Sequence, residues 1–137
     1  QLAQERVRAA AFPVEFMAAS AESIPLGDGR VDSVLLTFAL CTIPNPDVAL
    51  LEMRRVLKTG GELIFCEHGQ APDANVARWQ ARVNPFWRRL AGGCNLNRDV
   101  PQLLSDAGFD TDSISQMYLP NTPKIAGYNV WGVARAR

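Results

Sequence analysis

The chain has 137 residues, 47% of them hydrophobic and 20% charged, which is enough for one buried core and too short for two ordinary domains. Its 14 basic and 14 acidic side chains cancel, leaving no basic excess for a nucleic-acid partner and no acidic tract of the kind that stays disordered. Cys41, Cys66 and Cys94 are odd in number and widely spaced; they do not read as a disulfide framework, no Cys-x-x-Cys pair points to zinc, and no metal site is expected.

No secretory signal is visible, and no apolar run approaches the roughly 20 residues that span a bilayer, so a reducing cytoplasm is the expected location. The first residue is Gln. Gln1 to Ala11 reads as the middle of a helix, with Leu2, Val7 and Ala10 on one side, and a preceding stretch is expected. Phe12 to Met17 (FPVEFM) alternates apolar and polar residues and predicts a short strand. A loop of small and polar residues follows, ending in the turn chemistry of Gly27-Asp28-Gly29.

Val31 to Phe38 is a nearly continuous apolar run after Asp32, as expected of a parallel strand buried on both faces. A helix comes next. Asn45 is placed to cap it, Pro46 suits its first position, and Ala49, Leu50, Met53, Val56 and Leu57 recur at helical spacing. Gly60-Gly61 is expected to end that helix, before a strand over Glu62 to Glu67. Strand, helix and strand on short loops predict a parallel crossover. Asn75 to Ala91 reads as a helix with Val76, Trp79, Val83, Phe86, Trp87 and Leu90 on one side and a break or kink at Pro85. Asn97 is placed to cap a further helix that ends at Gly108. Ser113 to Leu119 and Asn129 to Ala134 predict two last strands, antiparallel to one another. Five strands are expected in all.

The run SAESIPLGDGRVDSVLLTFALCTIPNPDVALLEMRRVLKTGGELIFCE resembles the signature of class I S-adenosylmethionine-dependent methyltransferases, with Thr59 where the family usually has Pro. FCEHG, the Trp-bearing helix, GCNLNRD and the closing GYNVWGVA are similar to the methyltransferase-like thiol S-methyltransferase branch, a membrane-associated group. The resemblance implies an α/β, Rossmann-like doubly wound sheet whose last strand is antiparallel, with S-adenosylmethionine as cofactor. It also implies that the first strands, the Gly-x-Gly-x-Gly loop and the acidic ribose ligand lie outside residues 1–137, so that the chain is one partial domain and inactive alone. A dehydrogenase half would share such a sheet, but RRVLKTGG and the closing strand pair argue against it.

Carried onto this sequence, the resemblance places Ser20, Ala21 and Glu22 in the adenine-holding loop. Thr37 and Phe38 fall at the strand end that holds the methionine moiety, with Cys41 just beyond. Ligands of open parallel sheets sit beyond the carboxyl ends of the strands, so Glu67 and His68 belong to the same edge. His68 is the only histidine, and imidazole titrates near neutrality, which makes it the candidate base for a thiol or hydroxyl acceptor. Glu67, Trp79, Trp87, Asn95 and Arg98 are the candidate acceptor-binding residues, with Phe86 and Leu119 adding to an apolar pocket. Each has a plainer reading: Ser20 to Glu22 as a surface loop, Phe38 as core, Cys41 as a buried thiol, His68 as a hydrogen-bond partner of a loop.

The expected partner is a small apolar acceptor, with a thiol as the first choice. A quinone, sterol or phospholipid acceptor remains an alternative, as does a cofactor-less binding or assembly module. Arg78, Arg82, Arg88 and Arg89 beside the aromatics admit a peripheral membrane contact. The favoured reading is a lid helix that packs its aromatics on the sheet and leaves its arginines in solvent. Oligomeric state is left open.

Overall fold

The computed structural model describes residues 2–136, with side chains from residue 5 onward. Gln1 and the side chain of Leu2 lie outside the described residues, so the reading of one helical face at that end meets no described contact. The elements are α1 (Leu2–Arg8), β1 (Val31–Thr37), α2 (Pro46–Val56), β2 (Leu57–His68), α3 (Ala74–Leu90), α4 (Val100–Asp106), β3 (Phe109–Asp110), β4 (Ile114–Tyr118), α5 (Lys124–Gly127) and β5 (Tyr128–Ala136).

One five-stranded sheet runs β1-β2-β5-β3, with β4 also paired to β5. β1 and β2 are parallel, Leu35 opposite Ile64 and Thr37 opposite Cys66. β5 is antiparallel to β2, β3 and β4. The sheet is therefore mixed, with the expected antiparallel closing pair. Five strands are present among the described residues, but the set differs from the expected one. Residues 12–17 form no strand; Phe12 and Phe16 are largely exposed, and the alternation has no neighbouring strand to satisfy it. The fifth strand is instead the two-residue β3 at the end of α4.

The core lies on one face of this sheet. Leu36, Leu63, Phe65, Val130 and Ala134 meet Ala49, Leu50 and Met53 of α2 and Val100 and Leu104 of α4. Alternation along a strand sends every second side chain to the other face. There Leu35 is 72% exposed and its cross-strand neighbour Ile64 39%. The apolar run of β1 is thus not buried on both faces, because among the described residues the two central helices pack on the same side.

Helix α2 is seated through Leu50 and Met53 as expected, and Leu57 is also buried, but as the first residue of β2. The helix ends at Val56 because Leu57 is already extended, at φ −69° and ψ 137°. Gly60-Gly61 does not end it. Gly60, at φ 76°, turns the chain inside the irregularity that lets Val31 pair with Leu57 and Ser33 with Glu62.

Helix α3 departs most from expectation. Its buried residues are Gln80 and Asn84, one turn apart. Gln80 accepts from the Ala71 amide at 2.9 Å and donates to the carbonyls of Gly69 and Ile125, both at 3.1 Å. Asn84 accepts from the Leu96 amide at 2.8 Å. The helix is held by amide side chains that satisfy loop backbone, which a hydrophobic pattern does not register. Its predicted apolar stripe is split: Trp79, Phe86 and Leu90 are 58%, 64% and 72% exposed, whereas Val76, Val83 and Trp87 are half-buried. The lid reading with aromatics on the sheet is therefore corrected. Pro85 neither breaks nor ends the helix.

Candidate active site

The carboxyl ends of β1 and β2 open onto one edge, and three loops converge there. The first begins there at residues 20–22 and runs back along α2 to residues 24–28, beside the start of β1. Arg55 of α2 reaches back to it, donating to the carbonyls of Leu26 and Ile24 at 2.8 and 2.9 Å and to Asp28 at 2.7 Å. Glu52 accepts from the Ile24 amide at 2.9 Å. Glu22 accepts from the Asn45 amide at 2.9 Å and from its side chain at 3.1 Å, and these bonds hold its carboxyl below the usual range. Asn45 thus stands at the N-cap position without capping with its side chain, which is taken by Glu22. Ser20 accepts from the Glu22 amide at 3.1 Å and forms a bridge with Ser23. The loop is fixed by charged side chains of α2 rather than by its own composition.

The second loop is the turn after β1. Phe38 has φ 45°, unusual for a residue with a side chain, and it is 57% exposed. It is not core. The next amides, Ala39 and Leu40, donate to one carboxylate oxygen of Glu67 at 2.7 and 3.1 Å. Glu67 is fully buried at the end of β2, and its second oxygen has no hydrogen-bond partner. Burial pushes its carboxyl upward, against the backbone amides of residues 39–41 and the charge of Arg98. A left-handed residue followed by amides pinned to a buried acid gives a rigid turn at the end of β1. Strained backbone of this kind collects at functional sites.

The third loop, residues 91–99, follows α3. Asn95 donates to the carbonyls of Cys41 and Gly93, at 2.9 and 3.0 Å, and Arg98 donates to the carbonyl of Leu40. Gly69 permits this packing, since a Cβ there would sit 2.7 Å from the Arg98 carbonyl oxygen. Asp99, and not Asn97, caps α4, accepting from the Gln102 amide at 3.1 Å. His68 Nε2 lies 3.1 Å from Cys94 Sγ, which also receives the Trp87 indole N–H at 3.4 Å. Burial lowers the His68 pKa, which keeps the ring neutral at physiological pH. Cys41 is buried against Thr42, and burial pushes its thiol up to about 11.

The structure thus brings together Thr37, Phe38, Cys41, Glu67, His68, Trp87, Asn95 and Arg98, and ties the loop of Ser20, Ala21 and Glu22 to the same edge through Asn45. Thr42, Arg88, Asn95 and Arg98 line a shared cleft. Trp79 lines a different one, with Asn75, Arg78 and Arg82. Phe86 and Leu119 are exposed, so the expected apolar pocket is not assembled from them. Cys94 was not among the candidates by sequence, although it stands in GCNLNRD beside two residues that were.

A mixed sheet closed by an antiparallel strand, with its loops gathered at the parallel strand ends, defines a Rossmann-like domain of the class I methyltransferase type. Residues 1–65 match the family model described as a methyltransferase domain. Thiol S-methyltransferase TMT1B of Homo sapiens is 36% identical over 108 residues, 74% of this chain and 44% of that protein. The ubiquinone/menaquinone biosynthesis C-methyltransferase UbiE of Shewanella pealeana is 28% identical over 123 residues, 76% of this chain and 49% of that protein. A SAM-dependent methyltransferase structure from Methanosarcina mazei superposes with a TM-score of 0.72 at 19% identity, over 98% of this chain and 76% of that one. The chain belongs to the S-adenosylmethionine-dependent methyltransferase family. It spans about half the length of the curated relatives it matches.

Proposed function

We propose that the protein carrying this chain transfers a methyl group from S-adenosylmethionine to the sulfur of a small, fairly apolar thiol. The observation that carries this reading is the 36% identity over 108 residues to a protein named as a thiol S-methyltransferase, since quinone C-methyltransferases reach 37% over only 65 residues and 28% over 123. The residues present fit the cofactor in part. The fixed loop of Ser20, Ala21 and Glu22 would hold the adenine. The exposed turn at Thr37 and Phe38, with Cys41 behind it, would hold the amino-acid end through backbone groups. When bound, the cofactor supplies a methyl carbon already activated as a sulfonium. Alignment then does most of the work, and the rigid turn pinned by Glu67 is suited to it. Asn95 and Arg98 bound the acceptor side, with Trp87 supplying apolar surface.

An acceptor thiol must lose its proton, since the thiolate is the nucleophile. His68 is neutral and at the right edge to take it. The test is a panel of thiols of differing pKa assayed beside a quinol, with wild-type protein and His68→Ala. Turnover is expected on the thiols, and His68→Ala should slow a high-pKa thiol by about 100-fold and an acidic, already ionised thiol far less. Equal losses would reduce His68 to positioning. Activity on the quinol and on no thiol would discard the thiol assignment.

The outward stripe of Trp79, Phe86 and Leu90 favours a peripheral membrane contact as part of this reading, on the cytoplasmic side. No helix among the described residues is long and apolar enough to cross a membrane. Arg82 lies over the Trp79 ring at 5.8 Å, and Arg78, Arg88 and Arg89 are exposed on the same helix, a composition that suits an anionic surface. The chain should sediment with vesicles containing anionic lipid, and Trp79→Ala with Phe86→Ala should weaken that by at least about tenfold. Failure to sediment at low salt would remove the membrane from the proposal.

A further inference from the structure

Three side chains far apart in sequence converge at the site edge: Cys41 from the turn after β1, His68 from the end of β2, and Cys94 from the loop after α3. Cys41 Sγ, Cys94 Sγ and a ring nitrogen of His68 all lie within 4.8 Å of one another. We propose that these three residues form a binding site for a zinc ion, with a fourth coordination position left to water. The expectation of no metal rested on spacing along the chain, which a site assembled from three loops does not show.

The geometry is close to what zinc requires. Bonds of about 2.3 Å to sulfur and 2.0–2.1 Å to nitrogen, at tetrahedral angles, put sulfur and nitrogen roughly 3.6 Å apart and two sulfurs roughly 3.8 Å apart. His68 Nε2 and Cys94 Sγ stand at 3.1 Å, so they must separate by about half an ångström, and Cys41 Sγ, within 4.8 Å of both, is at most about an ångström beyond the ideal separations. Two thiolates and an imidazole select a borderline ion such as zinc over magnesium or calcium, which prefer oxygen. Three protein ligands with one open position is the pattern of reactive rather than purely structural zinc sites.

The surroundings match as well. The Trp87 indole N–H points at Cys94 Sγ at 3.4 Å, an outer contact of the sort that steadies a metal-bound thiolate. Asn95 ties the two cysteine loops together, since its side-chain amide and its backbone N–H both donate to the Cys41 carbonyl at 2.9 Å. The fully buried Glu67, next to His68 in sequence, keeps an oxygen with no hydrogen-bond partner, and a nearby cation would offset its charge. Cys41 is buried, whereas His68 and Cys94 are half-buried, so the cluster is open on one side for the ion to enter. A bound ion would take the Nε2 lone pair, so the base role proposed above belongs to the metal-free protein and is blocked while the ion is bound. The site itself stands whatever the acceptor is.

The test is titration of the reduced, chelator-treated protein with Co2+ alone, followed optically and without any methylation assay. One equivalent should produce a thiolate-to-cobalt charge-transfer band and the intense visible bands of four-coordinate cobalt, and Zn2+ should abolish them. Cys41→Ser and Cys94→Ser should each weaken Co2+ binding by at least about 100-fold, since even outer-shell changes cost 10–100-fold, whereas Cys66→Ser should bind as wild type. Absence of the bands in the reduced wild-type protein overturns the proposal without recourse to any variant. So does their survival in the Cys41→Ser/Cys94→Ser double variant.

Discussion

Glu67→Ala is expected to lower the free energy of unfolding by about 3–5 kcal/mol, measured by denaturant titration at neutral pH. The carboxylate is fully buried and accepts two backbone amides, from Ala39 and Leu40. Removing it leaves both donors without an acceptor and frees the turn that carries Phe38. Hydrogen bonds to a charged group contribute about 1.5–3 kcal/mol each, and orphaned buried donors add a desolvation cost. Glu67→Gln is the informative partner, because its amide oxygen keeps the acceptor and removes the buried charge. Burial raises the Glu67 pKa in the folded state above its ordinary 4.5. A raised folded pKa means that the unfolded chain ionises first, so stability is full below 4.5 and declines as pH rises through the folded value. Wild-type stability should therefore fall over that window, and Glu67→Gln should lack that slope and unfold at neutral pH no more readily than wild type. A Glu67→Ala loss below about 1 kcal/mol would show that the turn is held by other means.

The sequence made the crossover legible because β1, α2 and β2 are local: the apolar run, the Pro46 start and the Leu50 and Met53 spacing each belong to one element. What it concealed was decided by neighbours. Residues 12–17 alternate like a strand, yet a strand needs a pairing partner and none is supplied among the described residues. The apolar stripe of α3 reads as a core face, yet Gln80 and Asn84 seat the helix through five backbone and side-chain hydrogen bonds, and polarity patterns assign such residues to solvent. At the site, the edge residues Thr37, Phe38, Glu67 and His68 followed from the strand-end rule. The left-handed Phe38 and the meeting of Cys94 with His68 did not, since both arise from loop geometry with no periodic signal. Glu67 was read as an acceptor contact, and its observed partners are the backbone of the opposite strand end.

Residues 1–137 alone are expected to bind S-adenosylmethionine at least about 100-fold more weakly than a longer chain that also carries a glycine loop and a ribose acid. The described chain offers the adenine loop at Ser20 to Glu22 and the turn at Thr37 and Phe38, and no Gly-x-Gly-x-Gly run occurs anywhere in it. In a doubly wound sheet those glycines let the backbone approach the cofactor, and the acid accepts from the ribose hydroxyls. Two such charge-assisted bonds at about 1.5 kcal/mol each already amount to a factor of roughly 100. The unoccupied edge of β1 adds to this: among the described residues that strand pairs only with β2, and its outward Leu35 is 72% exposed. An unpaired edge leaves the β1 end without a second strand beside it where the cofactor must be gripped. Calorimetric titration of the two chains side by side measures the difference. Micromolar binding by residues 1–137 alone would show that the adenine loop and the β1 turn suffice, and that the main contacts lie elsewhere than the family resemblance implies.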